Sequence, residues 1–172
     1  MPINTVQQRL LSILDGLPLP RSLGVLSAFI SPPNPNVDAM EPCAYIWGSR
    51  GVEERLSVPR AQPGNLSTGG DKTITHQVDI WLVWFGSSEP DDLIDQQFPS
   101  VIDAVTACLR NTELLDAVTI SAVDPMTGQQ SDLLAVGEHM SWEYAPVRAV
   151  ADQRFFRYDA QVTCEVVEVI QA

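Results

Sequence analysis

Apolar residues recur at helical spacing near the start of the chain, where Val6, Leu10, Ile13, Leu14 and Leu17 share one face. Asn4 or Thr5 can cap that segment and Gly16 can end it in a left-handed conformation, so the pattern predicts an amphipathic helix over 5–15. Residues 23–30 (LGVLSAFI) read as a strand. The next segment, SPPNPNVDAMEP, holds four prolines in twelve residues and can continue neither a ladder nor a helix, which makes it an extended connector. Residues 43–48 (CAYIWG) form a short apolar run suited to a strand. Residues 52–58 are expected to pair with it across a turn at Ser49, Arg50 and Gly51. From 59 to 70 the sequence PRAQPGNLSTGG has no periodicity and much turn chemistry, so a flexible loop is expected at about 59–72.

The clearest alternation lies in residues 73–85, TITHQVDIWLVWF. Ile74, His76, Val78, Ile80, Leu82 and Trp84 point one way. Thr73, Thr75, Gln77, Asp79, Trp81, Val83 and Phe85 point the other. A strand whose end is apolar on both sides belongs in the middle of a covered sheet. A helix follows, with Leu93, Ile94, Phe98, Val101, Ile102, Val105 and Leu109 on one stripe and Pro99 either kinking it or sitting in its first turn. Residues 117–123 read as a strand and 124–128 (DPMTG) as a turn. Residues 138–150 read as a strand with Met140, Trp142 and Tyr144 alternating, and 155–170 as a last strand carrying Phe156, Tyr158, Ala160, Val162, Cys164, Val166 and Ile170 on one side. The last two pair most simply as an antiparallel hairpin across Ala151, Asp152 and Gln153. The order α, β, β, β, α, β, β, β predicts an α+β single domain over 1–172, with a mixed or antiparallel sheet and two main helices packed on one face.

Charge adds a location. The 172 residues carry 22 Asp and Glu against 10 Lys and Arg, a formal charge of −12, with 45% hydrophobic residues. Hydrophobic content at that level describes a globular chain, not an acidic disordered tail. Segment 87–145 holds eleven carboxylates against Arg110 alone and so carries −10 of the −12. One Lys and nine scattered Arg cannot form the broad basic face that phosphate contacts need, which argues against nucleic-acid binding. The N-terminus shows no cationic region followed by an apolar stretch, so no secretory signal is expected. The longest apolar run, residues 80–85, is far short of the roughly 20 residues that span a bilayer. Cys43, Cys108 and Cys164 are odd in number and widely spaced, and are expected as buried thiols, neither disulfides nor metal ligands.

Candidate chemistry is sparse. His76 and His139 lie in predicted strands without a serine elbow, a metalloprotease helix or a Cys–His signature, so a hydrogen-bonded structural role is expected. Glu89, Asp91, Asp92 and Asp95 precede or open the second helix, where carboxylates stabilise the positive dipole end, and no second cluster at ligand spacing accompanies them. Gly69, Gly70, Asp71, Lys72 and Thr73 precede a strand instead of joining strand to helix, as a phosphate loop would. No catalytic residue, metal or cofactor site is therefore assigned. Trp47, Trp81, Trp84 and Trp142 all fall on predicted strands, which suits core packing or a subunit seam. Arg50, Arg55 and Arg60 border the long loop, and Arg148, Arg154 and Arg157 flank the last hairpin. Ordinary surface solubility is one reading of them. The other is a head-to-tail interface in which one subunit presents Arg forks to its neighbour's Asp91, Asp92 and Asp95. Heterologous contacts of that kind close into rings.

The order of segments then carries a resemblance. The N-terminal helix, AYIWGSRGVEERLSVPR, the Pro/Gly loop, THQVDIWLVWF, the acidic break, LIDQQFPSVIDAVTACLRNT and the terminal pair ending YDAQVTCEVVEVIQ together resemble tail terminator proteins of long-tailed bacteriophages. The resemblance covers most of the chain and lies in layout and local texture, with no catalytic motif. It implies a structural virion protein assembled in the host cytoplasm and located in the tail and neck. Such a protein is a ring-forming homo-oligomer, usually hexameric, that caps the tail tube and joins it to the head-tail connector. Its partners would be the major tail tube protein and a head-closure protein, with DNA passing through the channel without specific binding and no membrane contact. A head-closure or adaptor protein of the neck is the alternative within virions. Outside them stand a small enzyme using the acidic helix start, and a cytosolic binding module using the Trp-rich strands as an edge.

Overall fold

In this computed structural model the described residues are 3–20, 23–31, 41–55, 72–86, 92–112, 122–123, 130–144, 148–150 and 155–170. They form two helices, α1 (Ile3–Leu14) and α2 (Asp92–Asn111), and seven strands. The strands are β1 (Ser27–Phe29), β2 (Cys43–Arg55), β3 (Lys72–Gly86), β4 (Ala122–Val123), β5 (Gln130–Tyr144), β6 (Arg148–Val150) and β7 (Phe155–Ile170). All belong to one mixed sheet of order β1-β2-β3-β7-β5-β4, with β6 also pairing β7. Only β1 and β2 run parallel; the other pairs are antiparallel. The α+β architecture expected from the sequence is the one found.

Central placement of β3 follows from its side chains. Its even-numbered residues Val78, Ile80, Leu82 and Trp84 meet Val6, Leu10 and Leu14 of α1 and Phe98, Val101, Ile102, Val105 and Leu109 of α2 in the main core, along with Tyr158, Ala160, Val162, Cys164 and Val166 of β7. Both helices therefore lie on the same side of the sheet. On the other side Cys43, Tyr45, Val83 and Phe85 make a second, smaller buried cluster with Trp81 packed against it. Two antiparallel neighbours, β2 and β7, pair with β3 along nearly its whole length.

The N-terminal helix is held to the sheet by polar contacts as well as packing. Gln7 is buried and its Nε2 donates to the Ile46 carbonyl at 3.3 Å. Gly16 has φ of 80° just past the helix end, the left-handed exit the sequence predicts. Its amide donates to the Leu26 carbonyl at 2.9 Å. Asp15 Oδ1 then accepts the Ala28 amide at 3.1 Å, fixing β1 beside the helix C-terminus.

Several expected boundaries move. The hairpin of 43–48 with 52–58 is not formed: β2 runs unbroken through Ser49, Arg50 and Gly51 and pairs with β3 on both sides, the extra residue being taken up as a bulge between Gly48 and Arg50. Pro99 lies in the interior of α2, not its first turn. The strand expected over 138–150 is two strands, with β5 starting at Gln130 and β6 pairing Arg148 with Arg157. The antiparallel pairing of both with β7 is as expected. Of the predicted strand 117–123 only β4 is described. The turn at 124–128 and the loop at 59–72, apart from Lys72 opening β3, lie outside the described residues.

Candidate functional site

Sheet register sorts the side chains onto two sides. On the helix-free side, Phe29 stacks on Tyr45 with ring centroids 5.6 Å apart, and Tyr45 sits opposite Trp81. Two rungs along the ladder, on the same side, lie Trp47, Asp79, Thr163 and Ser141, joined by the pairings Trp47 with Asp79, Asp79 with Thr163 and Ser141 with Thr163. Thr163 Oγ1 donates to Asp79 Oδ1 at 2.8 Å. An aromatic patch at β1 and β2 thus gives way to a polar, carboxylate-bearing surface across β7 and β5, where His139 Nδ1 stands 3.5 Å from Glu165 Oε2.

The exposed large apolar residues gather at the two borders of this sheet. Phe29, Trp47 and Val52 are 47%, 48% and 38% exposed on the β1–β2 side, and Trp142 and Tyr144 are 48% and 50% exposed on β5. Trp142 shares its rung with Val162, whose side chain is in the main core, so it lies on the helix-bearing side. Arg110 at the end of α2 covers it, the guanidinium carbon 5.7 Å from the ring centroid.

Arg50 is exposed on β2 beside the bulge, opposite Gln77 on the helix-free side. Arg55 ends β2 opposite Lys72, and Arg148 opens β6 opposite Arg157; the side chains of Arg55 and Arg148 lie outside the described residues. The structure thus brings Arg148 and Arg157 together across one strand pair. Arg157 is committed within its own chain: its Nε donates to the buried Asp159 Oδ1 at 2.7 Å and its guanidinium lies 5.8 Å from the Phe85 ring. Asp92 and Asp95 belong to the opening of α2 with side chains outside the described residues. Arg60, Asp91 and Arg154 lie outside them altogether.

His76 Nε2 is 3.2 Å from Glu168 Oε2, both buried, as the structural reading of that histidine expects. Cys43 and Cys164 are buried and Cys108 is half-buried, all as free thiols. Burial raises each of the three thiols above its ordinary value. Among the described residues no group of three or more His, Cys, Asp or Glu is placed to hold a metal ion. Among the described residues no helix is long and apolar enough to cross a membrane.

Sequence reasoning placed all four Trp on strands but not their exposure. Trp84 is core and Trp81 half-buried, whereas Trp47 and Trp142 stand out from opposite borders of the sheet. Alternation assigns a residue to a side of a strand. It carries no signal for whether that strand is central or at an edge. No protein-family model matches the chain, and no curated protein matches it.

Proposed function

We propose that this protein is a structural subunit that assembles head to tail with copies of itself into a ring, in the manner of the phage tail terminator proteins its segment order resembles. The observation that carries the reading is the pair of exposed apolar borders: Phe29, Trp47 and Val52 on one side of the sheet order and Trp142 and Tyr144 on the other. Large apolar side chains left in water mark contact surfaces. Two unlike surfaces at opposite ends of one sheet favour a heterologous contact, which closes into a ring when the repeated rotation completes a full turn with no rise along the axis.

The located acidity supports the same reading. A channel with net negative walls repels DNA and lets it pass without adhering. The ring would cap the tail tube, meeting the major tail tube protein on one side and the head-tail connector on the other. Electron microscopy and native mass spectrometry of the purified protein, alone and with tail tube protein, test this. Closed rings, or rings on tube ends, are expected. A chain that stays monomeric under both conditions overturns the reading.

A further inference from the structure

Among the described residues, both edges of the sheet lack a neighbouring strand over the same rungs. β1 covers only residues 43–45 of β2, and the Ile46 carbonyl beyond it accepts from Gln7; no described strand lies along residues 47–55. On the opposite edge, β4 covers only Gln130 and Ser131 of β5, and no described strand lies along the outer side of residues 132–144. Following the register across the sheet, Trp47 shares a rung with Asp79, Thr163 and Ser141, and Glu54 shares one with Thr73, Val169 and Asp132. The open part of β2 and the open part of β5 therefore span the same band of the ladder, and the short strands β1 and β4 close its opposite ends.

Strand direction decides how a second copy can be added. β2 is antiparallel to β3, β3 to β7 and β7 to β5, so β2 and β5 run in opposite senses. A second copy related by rotation about an axis along the strands keeps those senses. Its β2 then lies antiparallel beside the first copy's β5, in the pairing with favourable perpendicular hydrogen bonds. No sliding along the strands is needed. Helix-bearing side continues into helix-bearing side, which sets the exposed Trp142 beside the neighbour's residues at the Ile46 rung.

We propose that residues 47–54 of β2 pair antiparallel with residues 132–141 of β5 in a second copy of this chain, making one sheet continuous from subunit to subunit. The inference rests on the ring reading above and names the contact that builds it. A strand edge with no neighbouring strand is a template for another strand. Both edges are bulged, β2 at Ser49 and β5 between Leu133 and Met140, and such bulges restrict which partner strand fits the edge.

Two measurements on the full-length chain test it. Amide hydrogen exchange, compared between the dilute and the assembled protein, should show residues 47–54 and 132–141 slowed together by about tenfold or more. In a Cys108→Ser background, Trp47→Cys and Ser141→Cys chains mixed and oxidised should give disulfide-linked pairs of one chain of each kind, because rung partners bring Cα atoms to about 4.5–5.5 Å. The double variant should give a ladder of linked subunits. Rings with freely exchanging edges and no cross-link overturn this inference and leave the ring reading standing. Trp47→Cys chains linking to themselves overturn it in favour of a two-fold contact between β2 strands. A chain that is monomeric throughout overturns both.

Discussion

His76 and Glu168 face each other diagonally across β3 and β7, Nε2 to Oε2 at 3.2 Å, on the helix-bearing side of the sheet where Glu168 is wholly out of water. Each satisfies the other where water cannot. Removing Glu168 from such a contact costs about 1–3 kcal/mol, because the His76 ring is left buried without this partner, whereas replacing both with apolar groups can be nearly neutral. Glu168→Leu is therefore expected to lower the urea midpoint markedly and Glu168→Gln, which keeps a polar partner for the ring, much less. The double variant His76→Leu/Glu168→Leu should be more stable than the sum of the single losses predicts. Chemical denaturation of the four proteins, analysed as a double-mutant cycle, reads this directly.

A second prediction concerns alkaline pH. Burial, with Asp79 and Glu165 nearby, pushes the Cys164 thiol up to about 12 from its ordinary 9.0. Burial, with Cys43 beside it, pushes the Tyr45 phenol up to about 12 from 10.0. Below pH 9 both groups are protonated in folded and unfolded chains alike, so their contribution to stability is whole. As pH rises from 9 towards 12 the unfolded chain releases the Cys164 proton and the folded chain holds it. Stability then falls, by about 1.4 kcal/mol per pH unit for each proton so released. Unfolding free energies measured from pH 8 to 11 should show this decline, and Cys164→Val should make it shallower. A flat profile in the unaltered protein contradicts the assignment.

Thiol reactivity separates the three cysteines by access. Cys108 is half-buried on α2, with burial raising its thiol and the Thr112 hydroxyl partly opposing that. Cys43 is buried with its Sγ 3.6 Å from the Val83 carbonyl, and Cys164 is fully buried. Iodoacetamide under native conditions is expected to label Cys108 first and Cys43 more slowly. Cys164 should react only as the chain unfolds, since the thiolate is the nucleophile and burial both hides the sulfur and disfavours ionisation. Peptide mass spectrometry over a labelling time course gives the order.

These elements also show where the sequence was legible. The alternation of 73–85 could be read because one side of β3 faces the main core through Val78, Ile80, Leu82 and Trp84 while Thr73, Thr75, Gln77 and Asp79 stand half-buried on the other, so the period of two is written in the sequence. Ser49, Arg50 and Gly51 look like a turn locally, yet the long partner β3 offers ladder positions to both halves of β2, and one bulged residue absorbs the irregularity. Tertiary pairing overrides the local turn chemistry there. The start of β5 was hidden for a related reason. Its register shifts between Leu133 and Val136 and again between Val136 and Met140, which destroys the period of two that marks a strand. Edge or centre is a property of the whole sheet, and so the exposure of Trp47 and Trp142 had no local signature. Of the Arg and Asp candidates, Arg157 turned inward to Asp159, two residues along the same strand.

Salt dependence of assembly discriminates between the two forces available at the subunit contact. Segment 87–145 carries −10, while Arg50 is an exposed cation on β2, towards the other end of the sheet order. If Arg–carboxylate pairing drives head-to-tail association, raising the ionic strength from about 0.1 M to about 1 M shortens the screening length from about 10 Å to about 3 Å and should weaken it. Arg50→Glu should weaken association at low salt and reduce its sensitivity to added salt. Apolar contact through Trp47 and Trp142 responds in the opposite sense, since salts excluded from protein surfaces strengthen apolar burial. Trp47→Ser and Trp142→Ser would then each reduce assembly while leaving the unfolding midpoint of the isolated subunit almost unchanged, because both side chains are already about half in water. Sedimentation velocity across a salt series for these variants distinguishes the cases. Assembly that strengthens with salt and survives Arg50→Glu assigns the contact to the tryptophans and removes the Arg–carboxylate seam.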